Sequence, residues 1–171
     1  MDYTKNRRFA MSVRVFFKSF VLCVLAFLTF CMFGCQNQIA VNRFRNKVIN
    51  AIDSRCEVEQ SCRINMRDVT DFEWDKMVIY CEGVFAEDLN EALGIEYRNE
   101  AVFASGIVFM NNGEIVLEDS VKCDPEGLAS FGYFVATRID SRCAVFYPQN
   151  AILSGSKSQQ KNYVRYVLWV R

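Results

Sequence analysis

Carboxylates are the side chains of this sequence that offer the most direct route to chemistry. Asp75 stands at the start of an apolar run, where a carboxylate is able to act as a general acid. A hydrolase that uses paired carboxylates needs a second acid at a fixed distance from the first. The acids available for that second position are Glu73, Glu82, Glu114 and Glu118. A small carboxylate-dependent hydrolase is therefore one function open to this chain.

Asp75 also suits two structural roles. It is able to cap a backbone turn, or to pair with Lys76 or a nearby arginine. Trp74 beside it is expected to be a core aromatic residue whose indole N–H needs one acceptor. Because structural ion pairs are common, we favour a structural role for Asp75 over catalysis.

Several other chemistries are excluded by composition. The chain has no histidine, which excludes Ser-His-Asp and Cys-His catalysis and His-rich zinc sites. It has no Cys-x-x-Cys pair and no glycine-rich phosphate loop. We therefore expect no catalytic residue set, no metal site and no cofactor, and we favour a binding or structural module over an enzyme.

The eight cysteines divide into two groups. Three lie in or directly after an apolar stretch near the N-terminus: Cys23, Cys31 and Cys35. The other five are Cys56, Cys62, Cys81, Cys123 and Cys143. We expect a disulfide between Cys56 and Cys62, because they lie close together in a polar segment. An odd number leaves one thiol, and Cys81 and Cys143 also suit the role of small buried hydrophobic residues.

Residues 19–34 form an uncharged apolar stretch preceded by five basic residues. A core helix would keep a polar face, and a transmembrane helix needs about 20 apolar residues. A basic start, a short apolar middle and a small residue before a cut are typical of a secretory signal. A retained anchor helix is the alternative interpretation.

The end of this stretch, Met32-Phe33-Gly34-Cys35, resembles the lipobox of bacterial lipoproteins. Gly34 and Cys35 match that pattern, whereas Phe33 and Met32 depart from its commonest residues. The resemblance implies that Cys35 receives a diacylglycerol and that the chain is cut just before it. It also implies that the mature protein is held to a lipid bilayer through acylated Cys35.

The expected domain organisation follows from that cut. Residues 1–34 are a lipoprotein signal peptide, residues 35–39 are a tether and residues 40–171 are a single domain. The signal holds five basic residues and one acid, and the rest of the chain holds fifteen basic residues and nineteen acids. A mildly acidic mature chain makes nucleic acid an improbable partner. We expect a protein at the cell membrane or outer membrane that faces the periplasm or exterior, with an envelope protein as partner.

Hydrophobic spacing predicts the elements of the domain. Apolar residues recur with helical period over 40–54 and 86–93, and Gly94 is placed to end the second helix. The basic residues of the first helix are able to contact anionic lipid headgroups. We favour the alternative, in which they form the solvated face of a helix that is docked on its own domain. Strands are expected over 72–81, within 101–118, over 131–139, 144–147 and 163–171, and the serine-rich segment 154–161 is expected to be flexible.

The pair Asn112-Gly113 predicts a type I′ hairpin turn, because both positions of that turn need positive φ. A two-residue turn sets Met110 opposite Ile115 and Val108 opposite Leu117, which would bury these four side chains together. On the other face Phe109 would oppose Val116, and Ile107 would oppose Glu118.

Strands that follow one another, with one helix in front and one inserted early, predict an α+β fold. We expect an antiparallel sheet of about five strands with two helices packed on one face, preceded by an apolar signal or anchor helix. Residues 67–121, with Trp74-Asp75, a helix ending at Leu93-Gly94 and the Asn-Gly hairpin, resemble small bacterial lipoproteins that share a Trp-Asp pair. The resemblance implies a shared fold and no particular mechanism.

Overall fold

The computed structural model describes residues 38–81, 83–97, 104–122, 134–136, 143–161 and 163–170. Contacts divide the chain into Met1–Ile39 and Ala40–Arg171, and the fold below is that of the second unit. The apolar stretch, Cys35 and Cys123 lie outside the described residues. The signal peptide, its cut and the lipid therefore stay predictions.

Helix α1 covers residues 38–55. Phe44, Val48 and Ile52 recur at helical spacing and are each at most 1% exposed. The helix predicted over 40–54 is therefore confirmed, and its apolar stripe is the face that packs into the domain.

The chain forms two sheets where one was expected. The strands are β1 (Ser61–Asn65), β2 (Lys76–Tyr80), β3 (Ala104–Asn111), β4 (Glu114–Lys122), β5 (Phe134–Ala136), β6 (Cys143–Phe146), β7 (Ile152–Gln159) and β8 (Val164–Trp169). The first sheet has the order β4-β3-β2-β6, and its pairs are antiparallel. The second has the order β1-β7-β8-β5, in which β5 pairs with β8 in parallel. The α+β class is confirmed, and the single five-stranded sheet is wrong.

The second sheet arises because a segment expected to be flexible is a strand. β7 lies between β1 and β8, so its serine-rich backbone hydrogen-bonds on both sides. At its centre, a Cβ on Gly155 would lie 2.9 Å from the Cγ1 atoms of both Ile52 and Ile64. Glycine there lets α1 and β1 approach the strand closely.

The first sheet is buried on both faces at its centre. In β2, Met77 and Ile79 face the core that includes α1 and the second sheet, whereas Val78 and Tyr80 face the opposite core. The strand is therefore buried on both faces toward its end. Such a strand needs cover on each side, because successive apolar residues point in opposite directions.

Two helices consequently lie on opposite faces of the first sheet, not on one face as expected. α1 packs with Met77 and Ile79, while α3 (Ala86–Leu93) buries Leu89 and Leu93 against Val78. The bounds of α3 match the predicted helix, and its C-cap residue is in the left-handed conformation. A further short helix, α2 (Met66–Val69), was not predicted.

The hairpin turn is confirmed, but the register beyond it is not. Asn112 and Gly113 have φ values of 52° and 81°, as a type I′ turn requires. Met110 lies opposite Ile115 as expected. The register then shifts between Phe109 and Met110, so that Phe109 lies opposite Leu117. A β-bulge of this kind places one extra residue in one strand.

The bulge changes which β4 side chains are buried. Leu117 joins the core beside α1, and Ile115 is 37% exposed instead of buried with Met110. Val108 lies opposite Glu118, and Ile107 lies opposite Asp119. The set of four buried side chains expected from a regular hairpin is therefore wrong, because the side-chain period changes by one residue at the bulge.

Candidate functional site

Two adjacent acids of β4 lie on opposite faces of the first sheet, and the bulge decides which acid lies on which face. Glu118 shares the face of Val108 and α3, and Asp119 shares the face of Ile107 and α1. Asp119 is 2% exposed, and Glu118 is half-buried. The acids at positions 73, 75 and 114 are exposed by comparison. The surroundings of Glu118 and Asp119 therefore decide whether the fold holds an enclosed catalytic carboxylate.

Asp119 forms a buried ion pair with α1. The Arg45 Nε donates to Asp119 Oδ1 at 2.9 Å, and the Arg45 Nη2 donates to the same oxygen. The side chain of Arg45 is 14% exposed, and that of Asp119 is 1% exposed. An acid held in this way is fixed by its partner and enclosed from solvent, which is the arrangement of a structural pair. The sequence showed an acid within a predicted strand, but no local pattern indicated that Arg45 would be its partner.

Glu118 lies in a polar group with two tyrosines. The Tyr97 hydroxyl donates to Glu118 Oε1. Tyr80 lies nearby at 0% exposure, and among the described residues its hydroxyl has no hydrogen-bond partner. Burial raises the pKa of Tyr80 to about 12, and the charge of Glu118 acts in the same direction. The hydroxyls of Tyr97 and Ser120 approach closely enough to lower that pKa, although neither forms a well-aligned hydrogen bond with the Tyr80 hydroxyl.

Asp75 caps the hairpin turn, which is one of the three roles open from the sequence. Its Oδ2 accepts a hydrogen bond from the Asn112 backbone N–H at 2.7 Å. Its own backbone N–H donates to the Met110 carbonyl at 2.9 Å. The carboxylate therefore fixes the turn to the start of β2.

Trp74 is a core aromatic residue, as expected, with 8% of its surface exposed. Its indole Nε1 donates to the Thr70 hydroxyl at 3.0 Å. The only hydrogen-bond donor of the buried side chain is therefore satisfied. Its ring lies edge-to-face against Phe109, with centroids 5.2 Å apart. The Trp-Asp pair thus joins the end of α2, the start of β2 and the hairpin.

Asp75 and the two described acids at positions 73 and 114 lie at the surface and not in an enclosed site. Glu73 and Glu114 are exposed, Asp75 holds the turn and Glu82 lies outside the described residues. Across the described ranges, no group of three or more acids or cysteines is arranged to hold a metal ion.

The basic residues of α1 meet acids of their own domain. Lys47 Nζ lies 3.1 Å from Asp71 Oδ2, and Arg43 Nη1 lies 3.5 Å from the same atom. The hydrogen bond from Lys47 is the largest cause of a lowered pKa at Asp71, and Arg43 adds to it. These contacts support the interpretation of a helix docked on its own domain.

Cys56 and Cys62 are joined by a disulfide. The bridge connects the residue after α1 to β1, so it fixes the helix to the edge of the second sheet. Cys81 and Cys143 carry thiols and are each half-buried. In the part of the chain that the structure describes, no helix is long and apolar enough to cross a bilayer.

Among the exposed apolar side chains at the sheet strands are two pairs that contain a tyrosine. Val145 and Tyr147, on or just after β6, are 40% and 47% exposed. Tyr163 and Val164, at the start of β8, are 41% and 38% exposed. Aromatic residues are enriched where proteins bind one another. We refer to these pairs as the β6 strip and the β8 strip.

No family model, curated protein or solved structure matches this chain.

Proposed function

We propose that this protein is a lipid-anchored lipoprotein of the bacterial envelope that holds a partner protein at the membrane. It is fixed through acylated Cys35 to the cell membrane or outer membrane and faces the periplasm or exterior. The binding role is supported by the observation that the candidate acids form hydrogen bonds and ion pairs within the fold. Asp119 is held by Arg45 and Glu118 by Tyr97, while Asp75 caps a turn. Each carboxylate supports the fold, which favours a binding or structural module over an enzyme.

Two features support the location. The residues ending at Cys35 match the lipobox at its two most informative positions, and a disulfide joins Cys56 to Cys62. Disulfides form and persist mainly in exported proteins. An anchor confines the domain to a thin layer at the membrane, which raises its effective concentration for partners in that layer.

Intact-mass measurement of protein isolated from membranes tests the anchor. We expect a chain that begins at Cys35 and carries lipid. The Cys35→Ser variant is expected to stay uncleaved, because the modification precedes the cut in lipoproteins. An unmodified chain of full length in the wild type would contradict the lipoprotein proposal and favour a retained anchor helix.

Pull-down from the envelope with the anchor intact tests the binding role. Tyr147→Ser changes the β6 strip and Tyr163→Ser changes the β8 strip, and both side chains are exposed, so both variants should fold. We expect one of them to lose the partner and the other to retain it. A partner retained by both variants and by the double variant would show that neither strip forms the interface.

The second candidate function is a small carboxylate-dependent envelope hydrolase. The observation that favours it is Glu118, which is half-buried beside Tyr80. Glu118→Gln and Asp75→Asn keep the size and one acceptor oxygen of each side chain. We expect both variants to retain the cellular function. Loss of function with normal folding and an intact pull-down would overturn the binding role in favour of the hydrolase.

A further inference from the structure

Two thiols lie at the same end of the first sheet. β2 ends at Tyr80, whose Cα partner in β6 is Cys143, and Cys81 is the next residue along the chain. Strand spacing and the rise per residue place the Cα atoms of Cys81 and Cys143 about 6 Å apart. Disulfide-bonded cysteines have Cα atoms about 4.4 to 6.8 Å apart. The backbone at this corner is therefore within the range for a bond between the two sulfurs.

The chain turns directly after β2, and Cys81 is the first residue of that turn. The Val84 N–H donates to the Cys81 carbonyl at 3.2 Å, and Gly83 has a φ of 80°. Cys81 lies outside the ladder between β2 and β6, whose last pair is Tyr80 and Cys143. The side-chain alternation of paired strands is defined by the ladder and is not imposed on a residue outside it.

The surroundings of Cys143 also indicate that the thiols are neighbours. Burial is the main cause that raises the pKa of Cys143 to about 11, followed by the charges of Asp88 and Cys81. A thiolate at Cys81 disfavours a second thiolate only when the two sulfurs are close. Both side chains are half-buried, which leaves part of each accessible to an oxidant.

We propose that Cys81 and Cys143 form a dithiol that is oxidised to a second disulfide in the exported protein. The inference rests on the export included in the proposed function, since that compartment supplies the oxidant. One thiolate attacks the disulfide of an oxidised thiol–disulfide oxidoreductase and forms a mixed disulfide. The second thiolate then displaces the enzyme, which leaves as a reduced dithiol that carries the two electrons and takes up the two protons given up by Cys81 and Cys143.

The second disulfide would fasten β6 to the end of β2. β6 is the last strand of the first sheet in the described order, and its ladder with β2 has four residue pairs. A covalent link between Cys81 and Cys143 would hold this short strand in register. Val145 of the β6 strip lies two residues after Cys143, so oxidation would also fix the backbone of that exposed surface.

Peptide mapping of the purified chain tests the proposal. The reduced protein is treated with oxidised glutathione, remaining thiols are blocked with N-ethylmaleimide, and the digest is analysed by mass spectrometry. We expect the peptide of Cys81 joined to the peptide of Cys143, with the loss of two hydrogen atoms. Alkylation of both residues, or a bond from either to Cys123, would overturn the proposal.

Two variants serve as controls. Cys123→Ser removes the competing thiol and should still form the Cys81–Cys143 bond to the same extent. Cys143→Ser should leave Cys81 either alkylated or joined to glutathione, and not joined to another peptide of the chain. If Cys81 instead formed a bond with Cys123 in the Cys143→Ser variant as readily as the wild type forms its bond, the pairing would lack the specificity proposed.

The same mapping on protein isolated from membranes separates this inference from the proposed function. Lipid on Cys35 together with alkylated Cys81 and Cys143 would overturn the second disulfide alone. An unmodified Cys35 together with a reduced Cys56–Cys62 pair would overturn export, whatever the purified protein does with glutathione.

Discussion

Arg45 of α1 and Asp119 of β4 lie seventy-four positions apart in the sequence and form a hydrogen-bonded ion pair between Nε and Oδ1 at 2.9 Å. The pair joins α1 to β4, which lies at an edge of the first sheet in the described strand order. Both side chains are enclosed, so each charge contributes to the compensation of the other.

Removal of one partner should therefore be costly. Arg45→Met leaves the Asp119 carboxylate enclosed without its cation, and we expect a loss of about 3 kcal/mol in the free energy of unfolding. The double variant Arg45→Met/Asp119→Leu should recover most of that loss, because both charges are gone. Urea denaturation measures both changes. A double variant no more stable than Arg45→Met would contradict this account.

The hairpin turn offers a test of backbone conformation alone. Gly113 has a φ of 81°, and no neighbouring atom lies within 4 Å of the position of an added Cβ. Gly113→Val should lower the free energy of unfolding by more than about 1 kcal/mol, since a β-branched residue is strained there. Gly113→Asn should cost less, because asparagine tolerates positive φ. Equal losses in the two variants, measured by urea denaturation, would contradict the assigned turn.

The centre of β7 tests how closely α1 lies against the second sheet. The added Cβ of Gly155→Ala would meet Ile52 and Ile64 at 2.9 Å, so the core must shift to admit it. We expect a loss of about 1 to 3 kcal/mol, which is typical of overpacking. Ser156→Ala in the same strand is the control and should change stability little. Thermal unfolding of a Gly155→Ala protein that matched the wild type would show that the contact is looser than described.

Alkaline pH should destabilise the protein through Tyr80. Its folded pKa of about 12 lies above the ordinary value of 10.0, so between these values the unfolded chain loses a proton that the folded chain keeps. The contribution to stability is complete below about pH 10 and is lost as the pH rises through about 12. We expect this residue to account for about 3 kcal/mol over that window.

Tyr80→Phe isolates that contribution from the other groups that titrate at alkaline pH. The variant should lose less stability than the wild type between about pH 10 and pH 12, as measured by urea denaturation at each pH. At neutral pH it should be as stable as the wild type or more stable, because the Tyr80 hydroxyl is buried without a hydrogen-bond partner among the described residues. Identical alkaline profiles of the two proteins would refute the role of Tyr80.

Local patterns in the sequence were enough to predict the helices α1 and α3 and the hairpin turn. Each depends on residues close together in the chain: apolar residues at helical spacing, or the Asn112-Gly113 pair. Three roles were open to Asp75 because the sequence does not show which backbone group approaches it. The structure selects the turn because it brings the Asn112 N–H to the carboxylate.

Features that depend on distant residues were not predictable. The serines around Gly155 have weak strand preference, and β7 forms because β1, β8 and α1 surround it. The partner of Asp119 lies in another element, so no local pattern indicated Arg45. The order of the strands in two sheets likewise follows from pairings between segments far apart in the chain.

The bulge beside Phe109 sets the parity of β4, meaning which of two neighbouring positions faces which side of the sheet. A regular hairpin of the same length would pair Ile107 with Glu118, which would bring Glu118 to the side of Arg45 and Asp119 to the side of Tyr97. Because both positions are acidic, loss of the bulge would exchange the two carboxylates without removing either charge. The hairpin is therefore a place where a slip in register, with no change in side-chain chemistry, would alter the ionic contacts of both faces.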